Sequence, residues 1–150
     1  MERQGNPEDW DEFYALLGRY ATSAGNAESM MYRIIEAMRS RAKLPSLVKV
    51  PMWAGWVDAL RKEAAGTPYE ERVTILLGSA PRRGILRNNL VHAGWFSASP
   101  DGYIARRHPA NGSGSSMMFL QRDVLEATLK VMEWFENELE RLALDVALGR

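Results

Sequence analysis

From Leu125 to Val146 the apolar residues Leu125, Leu129, Met132, Phe135, Leu139, Leu142 and Val146 recur every three or four positions, which is the period of one face of an α-helix. Asp123 followed by Glu126 reads as a capping box that opens this helix. An apolar face of that length has to be buried against other elements, so the chain closes with a bundle helix. The other end carries a matching stripe at Trp10, Phe13, Tyr14, Leu17, Ala21, Ala24, Met31, Ile34, Ile35 and Met38. Asn6 as N-cap, Pro7 at the first helical position and Glu8 and Asp9 in the first turn mark where it starts. Gly18 and Gly25 weaken its middle, and one helix of about 33 residues is expected rather than two joined near Gly25-Asn26.

Between these stripes the punctuation is dense. Leu44 to Met52 contains two prolines and has no period, which predicts a surface connection, and Trp53 to Ala65 predicts a helix ended by Gly66. Thr67-Pro68-Tyr69-Glu70 has the form of a capping box with a first-turn proline, for a helix over about 68–77 that Gly78 would end in the left-handed conformation. Ser79-Ala80-Pro81 starts a fourth helix carrying Arg82 through Ala93, stopped by Gly94. Trp95 to Ala98, the turn Ser99-Pro100-Asp101-Gly102 and Tyr103 to Arg106 then read as a hairpin. Pro109 to Ser116 is a small, polar loop, and Met117 to Leu120 adds one short strand. The expected fold is therefore all-α, a bundle of four to five helices with a small β-hairpin insertion at about 95–120 before the last helix, in one domain over residues 1–150.

Composition narrows the chemistry. With 150 residues the chain can bury about 68–70% of its unfolded surface, enough for one core. It contains no cysteine, which excludes disulfides, thiolate zinc sites and cysteine nucleophiles. His92 and His108 lack the helical spacing of a zinc-binding pair, and there is neither a phosphate-cradling glycine loop nor a Gly-x-Ser-x-Gly elbow. No metal and no cofactor is expected. Met1 to Trp10 is polar and acidic rather than signal-like, and no apolar run reaches membrane-spanning length, so the expectation is a cytoplasmic protein with no membrane partner.

The remaining candidate for chemistry is Arg87-Asn88-Asn89-Leu90-Val91-His92. An arginine, a polar residue directly after it and a histidine after four intervening residues resemble the signature of the HEPN domains (higher eukaryotes and prokaryotes nucleotide-binding), many of which are ribonucleases. The run continuing through Ala93-Gly94-Trp95 is similar to a stretch common in bacterial members. In that family, too, the motif lies near the end of a late helix in a four- or five-helix bundle, followed by a variable connection and a long closing helix. The resemblance implies catalytic roles for Arg87, His92 and Asn88, a dimeric site, and a setting of toxin–antitoxin or antiphage defence with an antitoxin or a nucleotidyltransferase-like protein as partner. It also implies an acidic residue on the first helix beside the motif, for which Glu28 is the candidate.

The residue chemistry suits RNA cleavage without a metal. A histidine with an ordinary pKa near 6.5 can take the proton of a ribose 2′-OH or return one to the leaving oxygen around neutral pH. Arg87 stays charged and offers a planar fork to the phosphate, while Asn88 lies one helical turn before His92 and can hold the imidazole or a non-bridging oxygen. At about 100° per residue Arg87 and His92 lie about 140° apart, so two copies packed about a two-fold axis would pair the arginine of one with the histidine of the other. A homodimer with a composite site is the expectation.

Net charge is zero, yet it is not evenly spread. Residues 78–120 hold Arg82, Arg83, Arg87, Arg106 and Arg107 against Asp101 alone, a net +4. That window predicts an RNA groove in which Arg82, Arg83, Arg106 and Arg107 contact phosphates and Tyr103, Trp95 or Phe96 stacks on unpaired bases. The competing reading is a non-catalytic module of the same type that binds RNA, a nucleotide or a protein partner.

Overall fold

The computed structural model describes residues 2–47, 52–80, 89–107, 114 and 116–150. The first helix, α1, runs unbroken over Pro7–Ala42, 36 residues or about 54 Å. Asn6 precedes it in an extended conformation, and Lys43 closes it at φ 56°, its N–H returning to the carbonyls of Arg39 and Ser40. The stripe holds at both ends, where Trp10, Phe13, Met31, Ile34, Ile35 and Met38 are buried. Ala24 is buried as expected, but around it the stripe turns away: Tyr14 and Ala21 are exposed, and Tyr20, Ser23 and Ala27 face the core.

α2 (Trp53–Ala64) and α3 (Glu70–Leu77) follow, and the long closing helix α4 covers Arg122–Leu148. Every apolar residue of the predicted α4 stripe is buried. α1 and α4 form the most extensive helix pair. Its cross-links advance together along both helices, from Glu12 with Arg122, through Arg19 with Glu133 and Ser23 with Glu136, to Arg41 with the Ala147 carbonyl, so the two helices run parallel. α2 also runs parallel to α1, as Tyr32 against Trp56 and Arg39 against Glu63 show. The connection back from α1 is tied down by Leu47 N–H to the Glu36 carboxylate at 3.0 Å and Arg39 to the Pro45 carbonyl at 2.9 Å. α3 returns antiparallel, its Arg72 joined to Asp145 near the end of α4 at 2.6 Å.

The helix signals were partly misplaced. Glu70 accepts from the Gly66 N–H at 3.0 Å, whereas the Thr67 N–H goes to the Ala64 carbonyl at 3.0 Å, so α3 starts at Glu70 and not at Pro68. Gly78 is right-handed at φ −52°. At α4, Glu126 is held by Arg122 Nε at 3.1 Å rather than by a capping box, and the helix opens at Arg122. The expected fourth helix lies mostly outside the described residues, of which 89–92 are helical.

The principal correction concerns the β region. The all-α bundle with a small hairpin is overturned by a three-stranded antiparallel sheet, β1 (Gly94–Ala98), β2 (Gly102–Arg107) and β3 (Ser116–Gln121), in the order β1-β2-β3. β2 and β3 pair without interruption from Gly102 with Gln121 to Arg107 with Ser116, and β1 pairs with β2 around a bulge at Phe96. An isolated hairpin is marginal in water; a third strand and a buried face make it a layer of the core. Antiparallel partners share a face, which sorts the sheet into Trp95, Ala98, Tyr103, Ala105, Met118 and Leu120 on the inside and Gly94, Ile104, Arg106, Met117 and Phe119 on the outside. The inside packs on the first turns of α1, with Phe13 meeting Tyr103 at 4.4 Å and Trp95 at 4.9 Å between ring centroids. The free side of β1 is covered by Gln4, whose N–H reaches the Phe96 carbonyl at 2.8 Å and whose carbonyl accepts from Ala98 N–H at 3.0 Å. Gly5 follows at φ +120° with the Ala98 carbonyl so near that a Cβ would sit 2.1 Å from its oxygen, which explains a glycine there.

Candidate functional site

His92 is exposed at the end of the helical residues 89–92. The turn is closed internally and tied to the sheet. Leu90 is buried, the Ala93 N–H reaches the Asn89 carbonyl at 3.2 Å, and the Trp95 indole N–H donates to the Leu90 carbonyl at 3.0 Å. Gly94 then enters β1 opposite Arg106. The register therefore sets Arg106, exposed on the outer face, across from a residue two positions after His92. Among the described residues Arg106 has no carboxylate within salt-bridge distance, whereas the arginines at 19, 39, 72, 122, 141 and 150 are paired. Arg107 ends β2 opposite Ser116. Arg82, Arg83, Arg87 and Asn88, together with His108, lie outside the described residues.

The predicted base-stacking residues are corrected. Tyr103 is 1% exposed, locked in the core against Phe13, and unable to offer its ring to a base. Burial pushes its hydroxyl pKa up, opposed by the charge of Arg122, and no ionised phenol is available there near neutral pH. Trp95 is half-buried, with its ring on Phe13 and its N–H committed to Leu90. Phe96 sits half-buried at the bulge. Glu28 is half-buried on α1, and Arg87 and Asn88, beside which it was expected, lie outside the described residues.

The aromatic side chain that the sheet does present is Phe119, 58% exposed and directly opposite Ile104, with Met117, 59% exposed, opposite Arg106. The run Met117-Met118-Phe119-Leu120 is apolar at every position, so no alternation in it distinguishes outside from inside. Beyond Phe119 the surface turns acidic: Asp101, Asp123 and Glu126 line a cavity of about 480 Å³ with Phe119 and Arg122. Arg122 is engaged by both Glu12 and Glu126, and its bond to Glu126 keeps its guanidinium charge.

A second polar cluster, between α1 and α4, had no sequence signal beyond its residue types. Ser23, 4% exposed, donates to Glu136 Oε2 at 2.6 Å, and Asn26 donates to Oε1 of the same carboxylate at 2.8 Å. Both oxygens are thus used in joining the helices. Among the described residues no group of three or more His, Asp or Glu side chains is arranged to hold a metal, and no helix is long and apolar enough to cross a membrane. Compared with family models, with curated proteins and with solved structures, the chain matches none.

Proposed function

We propose that this protein is a metal-independent endoribonuclease of the HEPN type, cytoplasmic and homodimeric, with a composite site built from both copies and a role in toxin–antitoxin or antiphage defence. The observation that carries the reading is the exposed His92 on a turn braced by Leu90 and Trp95, with Arg106, which has no carboxylate partner among the described residues, at the same end of the sheet. An exposed imidazole and a cation at the same end of the sheet are what cleavage of an RNA phosphodiester requires: a group that moves protons and a cation for the charge that builds on phosphorus. In this reading His92 takes the 2′-OH proton or protonates the departing 5′-oxygen, Arg87 of the partner copy braces the phosphate, and Asn88 orients the imidazole or a non-bridging oxygen. The products are a 2′,3′-cyclic phosphate and a 5′-hydroxyl.

The test is incubation with mixed RNA in excess EDTA beside Arg87→Ala and His92→Ala. Loss of the acid–base group should slow cleavage about 10²- to 10⁴-fold, with cyclic phosphate ends from the parent protein. Equal cleavage by all three proteins would sink the reading and leave a binding module. A strictly monomeric protein with full activity would remove the composite site.

A further inference from the structure

The outer face of the sheet has a composition that a solvated surface does not need. Ile104, Met117 and Phe119 form an apolar strip across β2 and β3, with Phe119 and Met117 both more than half exposed. Arg106 belongs to the same face, and as the partner of Met117 it is the diagonal neighbour of Phe119, about 7–8 Å away between backbones. One nucleotide spans that distance, its base on the ring and its phosphate on the guanidinium. The charge pattern orients such a strand. Asp101, Asp123 and Glu126 lie beyond Phe119 and repel phosphate, while Arg106 leads toward Gly94 and the His92 turn.

We propose that this face is a platform for single-stranded RNA, with a base stacked on Phe119, a phosphate on Arg106 and the strand running toward His92. Single strands are the fitting ligand, because stacking on a ring needs bases whose faces are free, which a duplex does not offer. Arg106 supplies the positive charge on this face, and the absence of a carboxylate partner, among the described residues, leaves it available to a phosphate. The final step toward His92 rests on the ribonuclease reading; the platform does not.

The experiment separates the two. Binding of the full chain to a fluorescein-labelled 2′-O-methyl oligouridine, which has no 2′-OH to attack, is followed by anisotropy against salt, beside a duplex of equal length. Phe119→Ala should weaken single-strand binding about five- to hundredfold with the salt slope unchanged, and Phe119→Trp should restore it. Arg106→Ala should reduce the slope by about 0.7. Duplex binding should not respond to Phe119. With folding verified by circular dichroism, an affinity for Phe119→Ala within twofold of the parent, an equal loss on the duplex, or no binding of the single strand by the parent would overturn the platform. His92→Ala on cleavable RNA reports on the ribonuclease reading alone, so either idea can fall while the other stands.

Discussion

Replacing Tyr103 with alanine removes a ring that is 1% exposed and packed, tilted by 40°, at 4.4 Å from Phe13, which in turn meets Trp95 at 4.9 Å and Trp10 at 5.9 Å. A buried aromatic side chain covers about 150–250 Å², worth about 4–6 kcal/mol at ~25 cal/mol per Å² as an upper bound. Measured truncations of buried rings cost about 3–5 kcal/mol, cavity included, so a loss of about 4 kcal/mol is expected. For a chain of this size that lowers the melting midpoint by about 8–16 °C. Urea unfolding followed by circular dichroism measures it, with Tyr103→Phe expected within about 1 kcal/mol of the parent. Phe119→Ala is the control, one ladder position away on the opposite face, and it should change stability by no more than about 0.5 kcal/mol. A strand slipped by one residue exchanges the two faces. If Tyr103→Ala were nearly neutral and Phe119→Ala costly, the sheet would be inverted, and the platform and the core described above would both be wrong.

Three further predictions follow from local contacts. Trp95→Phe keeps a ring against Phe13 but leaves the Leu90 carbonyl without its indole donor, at a cost of about 1 kcal/mol, and should speed amide exchange at Ala93; exchange unchanged there would mean that the indole does not brace the His92 turn. Gly102→Ala brings a Cβ within 2.4 Å of the Leu120 oxygen and 3.0 Å of Gln121 Cα, which should cost about 1–3 kcal/mol by forcing β2 and β3 apart. The hydrogen bond from Arg72, aided by Arg150, holds the Asp145 carboxyl below its ordinary value of 3.8. A depressed pKa stabilises the fold above 3.8 and loses that contribution as pH falls through the folded value, so Asp145→Asn should flatten the acid limb of a stability–pH curve; an unchanged limb would refute the assignment.

What could be read in advance follows from side-chain size and parity. The α4 stripe was legible to the last residue because its seven positions are bulky and hold the three-and-four spacing without a break, even with Val124, Val131 and Trp134 beside them. The middle of α1 was not. Between Leu17 and Met31 the face toward α4 consists of Tyr20, Ser23, Ala24 and Ala27, and small residues at helical spacing leave two adjacent stripes equally plausible. Only packing decides, and here it favours the stripe that lets Ser23 and Asn26 reach Glu136. The hairpin turn was legible in Ser99-Pro100-Asp101-Gly102, where Ser99 and Gly102 exchange N–H···O bonds of 2.9 and 3.3 Å. The third strand gave its presence but not its face, since an apolar run carries no period of two. For the same reason Tyr103 was assigned to RNA and Phe119 passed over. Of the candidate site, His92 and Arg106 reach the surface at one end of the sheet, where the β1–β2 ladder, beyond its bulge at Phe96, brings Gly94 opposite Arg106.

The zero net charge has a physical consequence once the ion pairs are placed. Arg19, Arg39 and Arg72 meet Glu133, Glu63 and Asp145 at 2.6–2.7 Å, and Arg122 serves two glutamates at the junction of sheet and helix. Solvent-exposed pairs such as Arg19 with Glu133 stabilise a fold by about 0–1 kcal/mol each, too little to explain it. Their larger effect is on the field, because a paired arginine presents little charge at a Debye length of about 8–10 Å. Acidic side chains add to this at the helix starts, where Glu8, Asp9 and Asp123 face the positive end of the dipole. The pairs therefore lie on the helices and at their junction with the sheet, and among the described residues Arg106 on the outer strand face has none, which is also true of Arg3, Arg33 and Arg61. In the proposed platform Arg106 supplies the attraction for a phosphate and Phe119 the ring for a base, so electrostatic and stacking contributions fall on neighbouring residues of one face.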